Sequence, residues 1–171
     1  MHRLPGHSRG DRIADPNQSR GRREFYIAAA GAVVLDQASK FLIRAFVGEG
    51  TSIAVIPGLF SITPQQNTGA AFGALAGFGQ LLILISLVAI FAIIKLRSER
   101  RRSRLLAVAL GLILGGAVGN LIDRVAFHAV FDFLDVHYWP VFNLADVAVT
   151  IGGALLVIYW MAVPRHVPEQ Q

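Results

Sequence analysis

The chain has 171 residues, of which 54% are hydrophobic and 16% are charged, and it carries a formal net charge of +5. A soluble domain of this size needs a larger charged surface, and the hydrophobic residues here lie in long runs, so this composition excludes an ordinary soluble domain and predicts one compact membrane domain. The absence of cysteine excludes a thiol nucleophile, a disulfide framework and a Cys-ligated zinc site.

The N-terminal segment is polar, rich in arginine and without periodicity, which predicts a disordered cytoplasmic tail over residues 1–23. A membrane domain follows over residues 24–165, and a short cytoplasmic tail over residues 166–171. At ~1.5 Å per helical residue, four apolar runs are long enough to cross the bilayer core. The predicted transmembrane helices cover residues 25–44, 79–94, 105–122 and 142–163.

Basic residues predict how the four helices are oriented. Lys and Arg are concentrated in the N-terminal tail and in residues 95–104, whereas residues 45–79 and 125–140 contain none. The positive-inside rule therefore places both termini and the middle loop in the cytoplasm and the other two segments outside. Because these basic groups flank apolar runs, we interpret them as topology signals and contacts for anionic lipids rather than as a nucleic-acid site.

The first outer segment contains two β-like runs, Ile53–Ile56 and 59–62, which are separated by Pro57 and Gly58. This pattern predicts a small sheet on the membrane surface. The second outer segment, residues 125–140, is aromatic and acidic and is predicted to be an interfacial loop. The predicted fold class is an α-helical integral membrane protein with four transmembrane helices and a small extracytoplasmic β-like segment.

The third predicted helix carries glycines at four-residue spacing, Gly111, Gly115 and Gly119. Small residues on one helix face allow a neighbouring backbone to approach closely. We expect these glycines to serve helix packing.

Polar residues at membrane depth are costly and therefore informative. They belong to four distant parts of the chain, and the predicted topology places all of them near the outer boundary: Asp36, Gln37, Ser39, Lys40, Asn67, Thr68, Gly69, Asn120, Asp123, Arg124, Asp132, Asp135, Asn143 and Asp146. This convergence predicts a functional site at that boundary.

Several of these residues also have structural interpretations. Asp36 and Lys40 are spaced i,i+4 and can neutralise each other on one helix. Asp123 beside Arg124 can form an ion pair at a helix end. At the start of the fourth helix, Asn143 can cap the helix, and the carboxylate of Asp146 can interact favourably with its positive N-terminal end.

Two neighbouring carboxylates can cleave a peptide bond when one stays protonated while the other activates water. Asp146, near the N-terminal end of an apolar helix, is one candidate. Its partner must come from Asp36, Asp123, Asp132 or Asp135. We favour Asp132 because its neighbours are apolar, whereas Lys40 and Arg124 favour ionised Asp36 and Asp123; Asp123 remains an alternative.

Five segments, taken in order, resemble the bacterial lipoprotein signal peptidase (signal peptidase II) family. They are residues 36–40 (DQASK), 67–72 (NTGAAF), 115–124 (GGAVGNLIDR), 130–133 (VFDF) and 142–146 (FNLAD). The resemblance covers about residues 25–163. It implies a membrane aspartic endopeptidase that removes the signal peptide from diacylglyceryl-modified prolipoproteins, cutting just before the lipidated cysteine. It also implies the bacterial cytoplasmic membrane, an extracytoplasmic active site, no cofactor or metal, and a monomer.

The resemblance carries over residue roles position by position. The V-x-D-F and F-N-x-A-D motifs imply that Asp132 and Asp146 are catalytic. Matching positions imply that six further residues, together with Asp123 beside them, bind substrate or support the site: Asn67, Asn120, Arg124, Asn143, Asp36 and Lys40. The stretch between the two catalytic positions is short for the family, which implies a smaller covering loop.

Two other functions compete with this interpretation. A metal-dependent membrane lipid phosphotransferase or phosphatase would use Asp123, Asp132, Asp135 and Asp146 as Mg²⁺ ligands. A small transporter would use the polar residues as a path, but it requires polar groups throughout the membrane depth.

Overall fold

The computed structural model describes residues 16–69, 79–99 and 103–162. The described elements follow one another as α1 (Pro16–Phe46), β1 (Ile53–Ile56), β2 (Phe60–Asn67), α2 (Gly79–Glu99), α3 (Arg104–Phe127), β3 (Val130–Asp135) and α4 (Leu144–Ala162). Residues 1–15 and 163–171, and with them most of the predicted N-terminal tail and the whole C-terminal tail, lie outside the described residues.

Within the described residues, four helices are long and apolar enough to cross a membrane, which confirms the predicted fold class. The spans are Arg20–Phe46, Gly79–Arg97, Arg104–Phe127 and Leu144–Ala162. The largest difference from the predicted boundaries is at the start of α1, which begins at Pro16, so residues 16–23 are helical rather than disordered; α2 and α3 each end five residues later than predicted. Proline is favourable in the first turn of a helix, and Arg and Gln are good helix formers, so the polar segment continues the helix.

The third helix lies between α1 and α4 and also contacts α2. Glycine makes the close approach possible, as the sequence predicts. A Cβ atom at Gly115 would lie 2.5 Å from the Ala29 carbonyl oxygen on α1, and one at Gly152 of α4 would lie 2.7 Å from the Ala109 carbonyl oxygen. Backbones therefore meet directly on both sides of α3.

The apolar core lies at the end of the bundle where α1 and α3 begin and α2 ends. Phe25, Ile93, Leu106, Ala107 and Leu110 are buried against one another there. We call this region the inner end and the opposite end, which carries the sheet, the outer end.

The predicted small sheet is present, and in the part of the chain that the structure describes it has three antiparallel strands in the order β1–β2–β3. Ile53 of β1 pairs with Ile62 of β2, and Gln65 of β2 pairs with Asp132 of β3. The prediction of a loop over residues 130–135 is therefore wrong. The first four residues of β3 are all buried, so its sequence lacks the alternation that identifies a half-exposed strand.

Candidate active site

Asp132 lies on β3, with a side chain that is almost fully buried. Its Oδ2 atom accepts a hydrogen bond from Asn67 Nδ2 at 2.8 Å, and its Oδ1 atom accepts one from Asn143 Nδ2 at 2.6 Å. Burial raises the pKa of Asp132 to about 6; the two amide hydrogen bonds oppose this shift, and the charge of Asp146 adds to it. The pairing of β2 with β3 positions Asn67 for this contact.

Asp146 lies in the first turn of α4 and forms a reciprocal cap with Asn143. The Asp146 backbone N–H donates to Asn143 Oδ1 at 3.0 Å, and the Asn143 backbone N–H donates to Asp146 Oδ2 at 3.2 Å. The structural interpretation of these two residues is therefore correct. It does not exclude chemistry, because Asp146 Oδ1 accepts a hydrogen bond from Asn120 Nδ2 at 2.8 Å.

Two side-chain amides connect the carboxylates of Asp132 and Asp146. Asn143 Nδ2 donates to Asn120 Oδ1 at 3.0 Å, while the same nitrogen donates to Asp132. Asn120 then donates to Asp146. The chain Asp132–Asn143–Asn120–Asp146 thus runs through β3, the start of α4 and α3.

A fully buried ion cluster lies behind these amides. Lys40 Nζ is 2.8 Å from Asp36 Oδ2 and 2.9 Å from Asp123 Oδ2, and all three side chains have no exposed surface. The i,i+4 pair of Asp36 and Lys40 therefore forms as predicted and extends to Asp123. Arg44 is the next cation, 3.9 Å from Asp123 Oδ2.

The predicted ion pair between Asp123 and Arg124 is wrong. Consecutive helix residues point in different directions, so Asp123 faces Lys40 while the Arg124 guanidinium contacts Ser86 on α2 at 3.5 Å. Arg124 forms no direct ion pair with Asp123, but it is close enough to Asp146, Asp132 and Asp123 to interact with their charges.

Gln37 and Arg44 also belong to this region; Gln37 is among the polar residues predicted near the outer boundary, whereas Arg44 is not. Gln37 Nε2 contacts Asp36 at 3.1 Å, the Gly119 carbonyl at 3.2 Å and Asp123 at 3.3 Å. Arg44 lies one turn beyond Lys40 on α1, and this position is the signal that could have identified it.

Asp135 lies at the end of β3 away from Val130 and has different partners. Its Oδ2 atom accepts from Thr63 at 3.1 Å, and its Oδ1 atom accepts from the His137 backbone N–H at 2.8 Å. Within the described residues, no three His, Asp or Glu side chains are grouped closely enough to hold a metal ion. The four acids of the predicted magnesium alternative therefore do not form one ligand set.

Comparison with known proteins identifies the family. The sequence model described as Signal peptidase (SPase) II matches residues 28–162. The chain belongs to the signal peptidase II family. It is therefore a protease, and the matched range contains every candidate site residue.

Relatives of this signal peptidase II chain carry a consistent name. The lipoprotein signal peptidase of Geobacter metallireducens is 49% identical over 144 residues, covering 80% of this chain and 89% of the relative. The lipoprotein signal peptidase of Halothermothrix orenii is 45% identical over 134 residues, covering 78% and 92%. A solved bacterial membrane enzyme structure, obtained by the in meso method at 2.3 Å resolution, is similar with a TM-score of 0.77 and 32% identity, covering 86% of this chain and 93% of the other.

Proposed function

We propose that this chain removes the signal peptide from diacylglyceryl-modified prolipoproteins by cutting N-terminal to the lipidated cysteine, with Asp132 and Asp146 as the catalytic pair. The family and the names of its relatives support the substrate class. The observation that carries the residue assignment is the continuous path of hydrogen bonds that joins the two carboxylates through Asn143 and Asn120.

The catalytic pair divides the acid and base roles. Burial and the neighbouring charge of Asp146 raise the pKa of Asp132, so the pair retains one proton to higher pH than an exposed carboxyl would. The ionised carboxylate takes a proton from water while the water oxygen attacks the scissile carbonyl carbon. The protonated carboxyl donates its proton to the carbonyl oxygen. Collapse of the tetrahedral intermediate breaks the C–N bond and returns a proton to the leaving amine. This cycle uses no cofactor.

Asn67, Asn120 and Asn143 orient the pair, because each side-chain amide donates to a different carboxylate oxygen of Asp132 or Asp146. Arg124 supplies a cation beside the pair, and we assign it to binding of the substrate backbone. Asp36, Lys40 and Asp123 support the site from behind.

The proposed setting is the bacterial cytoplasmic membrane, in which the enzyme is a monomer surrounded by lipid. The basic residues support a topology in which both termini are cytoplasmic and the catalytic pair faces the extracytoplasmic side. The sheet then lies outside the bilayer core, where β2 and β3 hold Asn67 and Asp132. We further propose that the lipid tails of the substrate remain between helices and that the outer segment holds its extended backbone.

Neither rival function explains the contacts of the described residues as well as the proposed peptidase does. Magnesium-dependent phosphoryl chemistry needs several carboxylates on one ion, but Asp123 faces Lys40 and Asp135 faces Thr63. A transport path needs polar groups along the membrane depth, whereas the inner end is an apolar cluster.

The test is cleavage of a diacylglyceryl-modified prolipoprotein by the purified protein in detergent. We expect Asp132→Asn and Asp146→Asn each to lower kcat on the order of 10³-fold, since each removes a general acid or base. Asp135→Asn is the matched control, because it makes the same change on the same strand but away from the amide path; its kcat should stay within about threefold of wild type.

EDTA should leave wild-type cleavage unchanged. Loss of cleavage in EDTA would favour the metal enzyme, and normal cleavage by Asp132→Asn would show that the catalytic pair is misassigned. Failure of the wild-type protein to cleave any lipid-modified prolipoprotein would remove the proposed substrate class.

A further inference from the structure

Lys40 is a fully buried ammonium group whose hydrogen bonds are all used. An ammonium group has three donors and no acceptor. In this structure each donor has one acceptor: Asp36 Oδ2 at 2.8 Å, Asp123 Oδ2 at 2.9 Å and Asn120 Oδ1 at 3.2 Å. The three acceptors come from both α1 and α3, so Lys40 is the common point of a network rather than one half of an ion pair.

Two of these acceptors also hold the main chain beside the catalytic pair. Asp36 Oδ1 accepts from the Ala145 backbone N–H at 2.9 Å, and Asp123 Oδ2 accepts from the Phe131 backbone N–H at 3.0 Å. Ala145 and Phe131 are the residues immediately before the two members of the catalytic pair. The carboxylates bound to Lys40 therefore fix the backbone from which each catalytic side chain projects.

The third acceptor fixes the polarity of an amide. Asn120 Oδ1 accepts from Lys40 and from Asn143 Nδ2, which leaves Asn120 Nδ2 to donate to Asp146. If this amide rotated by half a turn, its NH₂ group would face two donors and its oxygen would face a carboxylate. Because Lys40 can only donate, it excludes that arrangement and keeps the N–H directed at Asp146.

We propose that Lys40 is a positioning residue for the cleavage reaction, acting through these three acceptors to fix the placement of the catalytic pair. This inference rests on the proposed function, since it assigns Lys40 an effect through Asp132 and Asp146. A merely structural ion pair would affect folding and leave the turnover of folded enzyme unchanged. A positioning residue changes kcat in enzyme that remains folded, because small displacements of reacting groups slow catalysis strongly.

The decisive variant is the double substitution Lys40→Met/Asp36→Asn. It removes one positive and one negative charge, so the formal charge of the cluster of Lys40, Asp36 and Asp123 stays at −1. The amide oxygen introduced at position 36 can still accept from the Ala145 N–H. We expect kcat for the lipid-modified prolipoprotein to fall about 10²-fold while KM stays within about threefold. The thermal midpoint falls as well, because buried Asp123 keeps only the more distant Arg44 as a cation, so kcat is compared at a temperature at which both proteins are folded.

Arg44→Gln is the matched control for charge. Arg44 is also a cation beside Asp123, at 3.9 Å, and its other described contacts are to the rings of Phe127 and Phe131. We expect this variant to keep kcat within about threefold, because removing a nearby charge without altering the amide path leaves the catalytic pair in place. An equal loss of kcat in both proteins would mean that charge alone is responsible and would overturn the proposal.

A second pair of variants decides the matter if the double variant does not fold. Asp123→Leu removes one acceptor of Lys40 and the partner of the Phe131 N–H, while Asp123→Asn keeps an oxygen for both. We expect kcat of Asp123→Leu to be at least tenfold below that of Asp123→Asn, with similar KM values. Equal kcat values in this pair, or wild-type kcat in a folded double variant, would overturn the role of Lys40. The proposed function fails separately, through an active Asp132→Asn enzyme.

Discussion

The two ends of this helix bundle differ in the kinds of residue that they bury. At the inner end, Phe25, Ile93 and Leu106 pack into an apolar cluster, and the nearby ion pair of Arg104 with Glu24 is partly exposed. At the outer end, Lys40 and Asp123 are fully buried together with Asp36. The inner end buries apolar side chains, whereas the outer end buries charged groups, whose removal from water is costly.

Stability alone does not explain the charges of the outer end. Removing charges from water is expensive, and replacing a buried ion pair by well-packed apolar residues is often neutral or stabilising by about 1–4 kcal/mol. The proposed positioning role gives Lys40, Asp36 and Asp123 a different purpose. It is supported by their contacts with the backbone of Ala145 and Phe131 and with the amide of Asn120.

The largest expected effect on stability concerns the pH dependence of the outer end. The pKa of Asp132 is raised to about 6, so the folded state binds a proton more tightly than the unfolded state. This contribution to stability is fully present below about pH 4 and is lost as pH rises through 6. Asp132→Asn has no such loss, so its stability relative to wild type should improve by up to about 3 kcal/mol between pH 4 and pH 8.

Denaturant unfolding in detergent at pH 4, 6 and 8 measures this difference. The comparison is between wild type and variant at each pH, which cancels the titration of groups that the two proteins share. A difference that stays constant across the three pH values would contradict the assigned shift.

The next effect tests how closely the site depends on helix packing. A Cβ atom at Gly116 of α3 would overlap the Ala145 carbonyl oxygen and lie 2.7 Å from Val149 Cγ2, whereas one at Gly153 of α4 would meet nothing within 4 Å. Gly116→Ala should therefore displace the start of α4, destabilise the fold by about 1–3 kcal/mol and lower kcat about tenfold or more. Gly153→Ala is the control and should be neutral or slightly stabilising, by less than about 1 kcal/mol.

Thermal midpoints and cleavage rates of the two glycine variants, measured side by side, provide the check. Normal cleavage by Gly116→Ala would mean that the amide path tolerates movement of α4 and would weaken the link between packing and catalysis.

The smallest effect belongs to the inner end. Arg104 Nε is 3.2 Å from Glu24 Oε1, but the Arg104 side chain is 59% exposed. Solvent screens such a pair, so Arg104→Gln should change the free energy of unfolding by less than about 1 kcal/mol and leave kcat unaltered. A large loss of activity in this variant would show that the two ends are not independent.

Much of this structure follows from sequence pattern alone. The four spans, the close approach at the glycines and the pair of Asp36 with Lys40 all depend on local spacing, which sequence displays directly. The five motifs also predicted which polar residues are brought together around Asp132 and Asp146.

Two of the errors share a physical cause, which is contact between distant segments. Burial of all the first four residues of β3 removes the alternating pattern by which a half-exposed strand is recognised, so the sequence predicts a loop. Adjacency predicts Arg124 as the partner of Asp123, but the direction of side chains on α3 presents Asp123 to Lys40 on another helix. The third error is local, because the polar composition of residues 16–23 predicts disorder where the helix continues.

The reciprocal cap at the start of α4 gives Asp146 two roles, one in the helix and one in the proposed reaction. Asp146 accepts the Asn143 N–H that begins the helix, and it is also a proposed reactant. In the proposed mechanism, a proton gained by this carboxylate weakens its attraction for both the N–H group and the positive end of the helix. On this mechanism each turnover would loosen and restore the first turn of α4, and a mutation that improves either role would act on both.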